Sequence, residues 1–136
     1  MFIENISMSD AVKGNHYFEK GKTILIQLQD KGTWQFAIPK YKDEFITIHQ
    51  FAFDDITEES AASIQEHQAK QIANILDKAY EDGHNIVVHC HAGICRSGAV
   101  VEVGVMLGFQ DTENLRIPNT LVKKMLVNYI DWNKYY

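Results

Sequence analysis

Residues 86–101 read IVVHCHAGICRSGAVV, and the fold is decided in this stretch. Its apolar opening, Ile86-Val87-Val88, delivers Cys90 to the end of a buried strand. Arg96 follows across five intervening residues, among them Ala92-Gly93, and Ser97-Gly98 open a helix. A loop that closes on a helix N-terminus turns successive backbone N–H groups inward and aims the positive end of the helix dipole at one point. Such a cradle, here His91, Ala92, Gly93, Ile94 and Cys95, binds a phosphate or another tetrahedral oxyanion. The field that attracts phosphate also stabilises a thiolate at its base. Arg96 adds a planar, permanently charged fork able to hold two phosphate oxygens at once. The chemistry implied is attack of a thiolate on phosphorus.

Outward from this loop, the chain reads as one domain, 1–136, long enough to form a single core. Hydrophobic residues make up 46% and charged residues 23%, an ordinary composition for a soluble chain. A formal net charge of -5 disfavours nonspecific attraction to nucleic acid or anionic lipid. No apolar run approaches the roughly 18 residues of a membrane span. The opening MFIENISMSD lacks the basic-then-apolar pattern of a secretory signal. Both cysteines sit in the one loop, which suits a reducing, cytoplasmic setting and catalytic thiol chemistry.

Four runs read as strands: Phe2–Ile6, Thr23–Leu28, Phe45–Phe51 and Ile86–His89. TILIQL alternates too little for a half-solvated strand and is expected in the sheet interior. Ser9 to Lys20 is weakly helical, and Asp30 to Lys42 reads as loop with a possible short strand at Trp34–Ile38. After Thr57 comes the clearest helix, with Thr57 as N-cap, Glu58 and Glu59 in the first turn and Gly83 at the end. Ala61, Ile64, Ile72, Ile75, Leu76 and Ala79 would share its buried face. Arg96 to Leu107 is rich in valine, but its place after the loop and its near-continuous apolarity favour a buried helix. A last helix follows Pro118-Asn119. Strands alternating with helices predict an α/β domain, with a largely parallel central sheet of four to five strands flanked by helices. The loop then lies at the carboxyl end of a central strand, where such sheets hold ligands.

His89-Cys90-His91-Ala92-Gly93-Ile94-Cys95-Arg96-Ser97 resembles the signature of the cysteine-dependent protein tyrosine phosphatases, in particular the small dual-specificity type. The family pattern is His-Cys, five variable residues and Arg-Ser/Thr, with Gly three residues after the Cys, and the match is complete. The resemblance runs from about Ile46 to Tyr129, and more loosely to the N-terminus. It implies a phosphoric monoester hydrolase acting on phosphotyrosine, and on phosphoserine or phosphothreonine, in a phosphorylated protein or peptide. A cysteinyl-phosphate intermediate would form without metal or cofactor. Cys90 would be the nucleophile, Arg96 the clamp, and Ser97 the hydroxyl that helps the thiolate leave. The general acid of such enzymes lies in a loop one strand–helix–strand crossover upstream. Asp54 and Asp55, after Phe51-Ala52-Phe53, both meet that distance. The family's aromatic-x-Asp order selects Asp55, counted from Phe53, and leaves Asp54 to brace the loop. Arg116-Ile117-Pro118-Asn119 resembles the family's C-terminal turn, whose Asn braces the phosphate loop; helix capping is an equal role for Asn119.

His89, a strand residue next to the nucleophile, points its side chain away from the thiol and reads as a brace. His91 is placed to contact bound phosphate when protonated. Cys95 is either a small buried filler or a partner for Cys90 in a disulfide under oxidation. Zinc held by His89, Cys90, His91 and Cys95 fails on geometry, since three consecutive residues do not converge on one tetrahedral ion, and Arg96 would repel it. The rival readings are a noncatalytic phosphate-binding module and a phosphatase acting on a non-protein phosphate ester. The loop between Cys90 and Arg96 has no lysine, which counts against a polyanionic substrate.

Overall fold

A computed structural model describes residues 1–135. Its strands are β1 (Phe2–Ser7), β2 (Thr23–Gln29), β3 (Ile48–Ala52), β4 (Asn85–Cys90) and β5 (Gln110–Asp111). Its helices are α1 (Met8–Lys13), α2 (Glu66–Asp82), α3 (Arg96–Leu107) and α4 (Thr120–Tyr129), followed by a 3-10 turn at Trp132–Lys134. Among the described residues the sheet order is β3-β2-β4-β1-β5, and every pair is parallel. The strand that carries Cys90 is therefore central, with β2 on one side and β1 on the other.

The period-2 alternation of the strands divides the core into two layers. Ile24, Ile26 and Leu28 of β2 and Ile86, Val88 and Cys90 of β4 join the larger layer, with the apolar faces of α2, α3 and α4. Leu25 and Val87 turn to the other face, under Ala11 of α1 and Phe45, with Phe18 and Tyr41 against them. All seven residues of β2 are buried, as its weak alternation requires of an interior parallel strand. No helix among the described residues is long and apolar enough to cross a membrane.

Several boundaries differ from those read in the sequence. α2 starts at Glu66, so Thr57 is no N-cap and Glu58 and Glu59 lie in a loop. Serine side chains compete with the helix there: Ser63 Oγ donates to Ser60 O at 2.9 Å and accepts from Ser60 N at 3.0 Å. The chain then turns Ile64 into the core, and α2 begins where Gln68 Oε1 accepts from Gln65 N at 2.9 Å. Gly83 ends α2 in the left-handed region, φ 74°. Helix after Ser9 stops at Lys13, closed by Gly14, and β3 begins at Ile48 rather than Phe45. Trp34–Ile38 is not a strand. Ala37 is instead held by side chains of β2, its O accepting from Gln27 Nε2 and its N donating to Gln29 Oε1, both at 2.8 Å.

Candidate active site

The loop between β4 and α3 is shaped from behind. Its carbonyls are taken by donors on its outer side: His91 O by Met8 N at 3.1 Å, Gly93 O by Asn5 Nδ2 at 2.7 Å, Ile94 O by Ile117 N at 3.1 Å and Cys95 O by Asn119 N at 2.9 Å. In a trans peptide the N–H points opposite to the C=O. Fixing these carbonyls outward therefore turns the N–H groups of Ala92, Ile94, Cys95 and Arg96 inward. Cys95 caps α3 without a side-chain hydrogen bond, so the first N–H groups of that helix are also directed at the cradle. Gly93 has φ +77°, and a Cβ there would stand 2.3 Å from the backbone carbon of Ile6. Only glycine lets the loop lie this close to β1.

Cys90 lies buried at the base of the cradle, with Sγ 3.1 Å from Ser97 Oγ in the first turn of α3. Arg96 is buried too. One guanidinium nitrogen, Nη1, donates to Phe53 O at 2.8 Å and to Asp30 Oδ1 at 2.9 Å, while buried Nε has no partner. The back of the fork is thus fixed by β2's end and the Phe53 carbonyl, and Nε is left as a donor for an anion. Asp30 was not singled out in the sequence. It carries no motif, and its one signal is topological: it follows β2, the neighbour of β4, at the same end as Cys90. Asn5 was missed for the same reason. From β1, its Nδ2 donates to Gly93 O at 2.7 Å and to Leu115 O at 2.9 Å.

The two adjacent acids point to different places. Asp54 Oδ1 accepts from Lys31 N at 2.9 Å, bracing the loop after β2. Asp55 is exposed, and its Oδ1 accepts from Asn119 Nδ2 at 2.7 Å. Asp55 also lies against Cys95: burial, then the charges of Asp55 and Cys90, then a hydrogen bond to Asp55, push the Cys95 thiol up. Cys95 therefore stays a thiol that donates to Asp55. Asn119 has both roles read for it. Its Oδ1 caps α4 through Val122 N at 3.0 Å, and its amide and backbone tie Asp55 and Cys95 together. Arg116 pins this returning segment to α3 and β5, donating to Glu102 at 2.7 Å and, through two nitrogens, to Asp111 at 2.9 Å.

His89 lies on the opposite sheet face from Cys90, fully buried. Its Nε2 sits 3.2 Å from Gln27 Nε2, which also donates to Ala37 O. With an amide N–H directed at Nε2, the ring is neutral and carries its proton on Nδ1, near Cys90 O at 3.4 Å. Burial lowers the pKa of His89 from 6.5 to about 4. Because the folded value lies below the unfolded one, protonation favours unfolding. Stability is expected to fall as pH drops below 6.5, with the loss complete below about pH 4 and worth about 3 kcal/mol. Urea unfolding at stepped pH, with the His89 ring protons followed by NMR, checks this; a ring titrating near 6.5 would refute it. His91, in contrast, is exposed at the loop rim.

Comparison with known proteins matches this architecture. A human tyrosine phosphatase-like serine/threonine/tyrosine-interacting protein superposes with a TM-score of 0.63 at 21% identity, over 93% of this chain and 89% of that one. Human DUSP28 superposes with a TM-score of 0.60 at 13% identity, over 97% of this chain and 93% of that one. No curated protein matches the chain. At these identities the likeness is one of fold. The family described as "Polymorphic toxin system, DSP-PTPase phosphatase" matches residues 5–107, a span that holds the whole phosphate loop, all of β2 and β4, and the last three residues of β1. On that match the chain belongs to the DSP-PTPase phosphatase family of polymorphic toxin systems.

Proposed function

We propose that the protein is a phosphatase that hydrolyses phosphotyrosine, and phosphoserine or phosphothreonine, in protein or peptide substrates through a cysteinyl-phosphate intermediate. The observation that carries the reading is the paired placement of Cys90 at the base of the cradle and the partnerless Arg96 Nε buried beside it. A phosphate monoester seats its oxygens on the inward N–H groups and on Arg96. The Cys90 thiolate attacks phosphorus, the ester P–O bond breaks, and the leaving oxygen takes a proton from the Asp55 carboxyl. Water then attacks the phosphorus of the intermediate. Asp55, now a carboxylate, takes the water's proton, and the S–P bond breaks to return the thiolate, to which Ser97 Oγ donates. Asp54, turned to Lys31 N, holds the loop that presents Asp55.

Leaving-group dependence tests the acid. A poor leaving group needs protonation in the transition state, and a good one needs it far less. Asp55→Asn is expected to slow an alkyl or phenyl phosphate about 100-fold or more while slowing p-nitrophenyl phosphate much less. Asp54→Asn is expected to treat both substrates alike. The reverse pattern would move the acid to Asp54. A panel of phosphotyrosine, phosphoserine and phosphothreonine peptides beside non-protein phosphate esters separates the substrate classes. Binding of phosphate with no turnover of any ester would replace the enzyme by a noncatalytic phosphate-binding module.

A further inference from the structure

The loop that follows β2 is tied to the phosphate site at one end and exposes apolar surface at the other. Asp30 Oδ1 holds Arg96, Lys31 N is bound by Asp54, and Ala37 returns to Gln27 and Gln29. Between these anchors the chain projects outward, and Trp34 is 90% exposed. Ile38, 60% exposed, and Val12 of α1, 48% exposed, lie beside it. Trp34, Phe36, Ile38 and Val12, with Gln35 and Ala37, line one shallow hollow of about 470 Å³. Its lining carries no charged side chain.

Two stretches of chain bound the distance from the hollow to the cradle. Trp34 is four residues from Asp30, at most about 14 Å of extended chain from the carboxylate on Arg96. Val12 is one helical turn from Met8, whose N–H binds His91 O of the phosphate loop, a rise of about 6 Å. A peptide bound with its phosphoryl group in the cradle spans such a distance in about four extended residues. An exposed tryptophan held on a doubly anchored loop offers large apolar area at low entropic cost, because it has only two side-chain torsions to fix.

The geometry points to Trp34 as a specificity-determining residue: the hollow seats an uncharged apolar side chain of the substrate, within about four residues of the phosphorylated one. This rests on the phosphatase reading and adds the kind of peptide it selects. The loop anchors are separate from Trp34, whose side chain is almost wholly in solvent, so Trp34→Ala leaves the fold and the cradle intact.

The test is a set of phosphotyrosine peptides in a Gly/Ser background, with one Phe moved through successive positions on either side. Phe at one or two positions is expected to raise kcat/KM about tenfold, through KM. Trp34→Ala is expected to abolish that gain while turning over p-nitrophenyl phosphate within about twofold of the wild type. A flat profile across positions, or a preference that survives in Trp34→Ala, overturns the assignment. An equal loss on p-nitrophenyl phosphate also overturns it, since the residue would then support the cradle itself. If the wild type turns over no ester, the phosphatase reading fails separately. The same peptides are then compared by fluorescence anisotropy, where the Phe-position preference and its loss in Trp34→Ala decide the hollow's role.

Discussion

Cys90→Ser is expected to reduce turnover of p-nitrophenyl phosphate by about 10⁴-fold or more, while phosphate or tungstate still binds. The change removes one atom type at the base of a cradle built by other groups. The carbonyls of the loop stay fixed by Met8, Asn5, Ile117 and Asn119, and Arg96 stays fixed by Asp30 and Phe53. Binding therefore survives, but a serine hydroxyl at neutral pH is a weak nucleophile, and the hydroxyl of Ser97 beside position 90 is no base to activate it. Acid quench of the wild type during turnover, followed by mass spectrometry, is expected to place a phosphoryl group on Cys90. Label on another residue, or full activity in the serine variant, refutes the mechanism.

Arg96→Lys is expected to cost about 10³-fold in kcat/KM although it keeps the charge. An ammonium on a flexible stem cannot donate to Asp30, to Phe53 O and to two phosphate oxygens from one plane. The guanidinium has the geometry for it, since Nη1 is committed backward to Asp30 and Phe53 and Nε is left without a partner. Lysine in its place leaves the Asp30 carboxylate or the Phe53 carbonyl poorly satisfied and presents a point charge in place of a fork. Steady-state kinetics with an aryl phosphate, beside thermal unfolding to establish that the variant is folded, measures the effect. Turnover near the wild-type rate would make Arg96 a structural residue.

What could be read from the sequence was what is local in it. The strand, His89-Cys90, Gly93, Arg96-Ser97 and the start of α3 are contiguous, so the order of residues carries the loop directly. The valine-rich run after Arg96 contradicts its helix by propensity alone, and its position after the loop resolves the conflict. The residues that complete the site from elsewhere carry no such order. Asp30 and Asn5 reach Arg96 and Gly93 only because β2 and β1 flank β4, and strand order is not written in either residue's neighbours. The start of α2 was misplaced because Thr57-Glu58-Glu59 offers good capping chemistry. Tertiary burial of Ile64 and the Ser60–Ser63 turn outweigh it. β5 is two residues long and has no periodicity to detect.

The loop is held by Asn5 near one end of the chain and by Ile117 and Asn119 near the other. Neither the signature itself nor the strand beneath it is sufficient to set the carbonyls outward. During synthesis the residues from His89 to Ser97 leave the ribosome well before Asn119 does, and at that stage half of the donors that shape them are missing. Closing such sequence-distant contacts is the slow part of folding a parallel sheet. Oxyanion affinity is therefore expected to arrive late. A nascent or truncated chain that already contains Cys90 and Arg96 is expected to stay chemically silent until the segment bearing Ile117 and Asn119 docks.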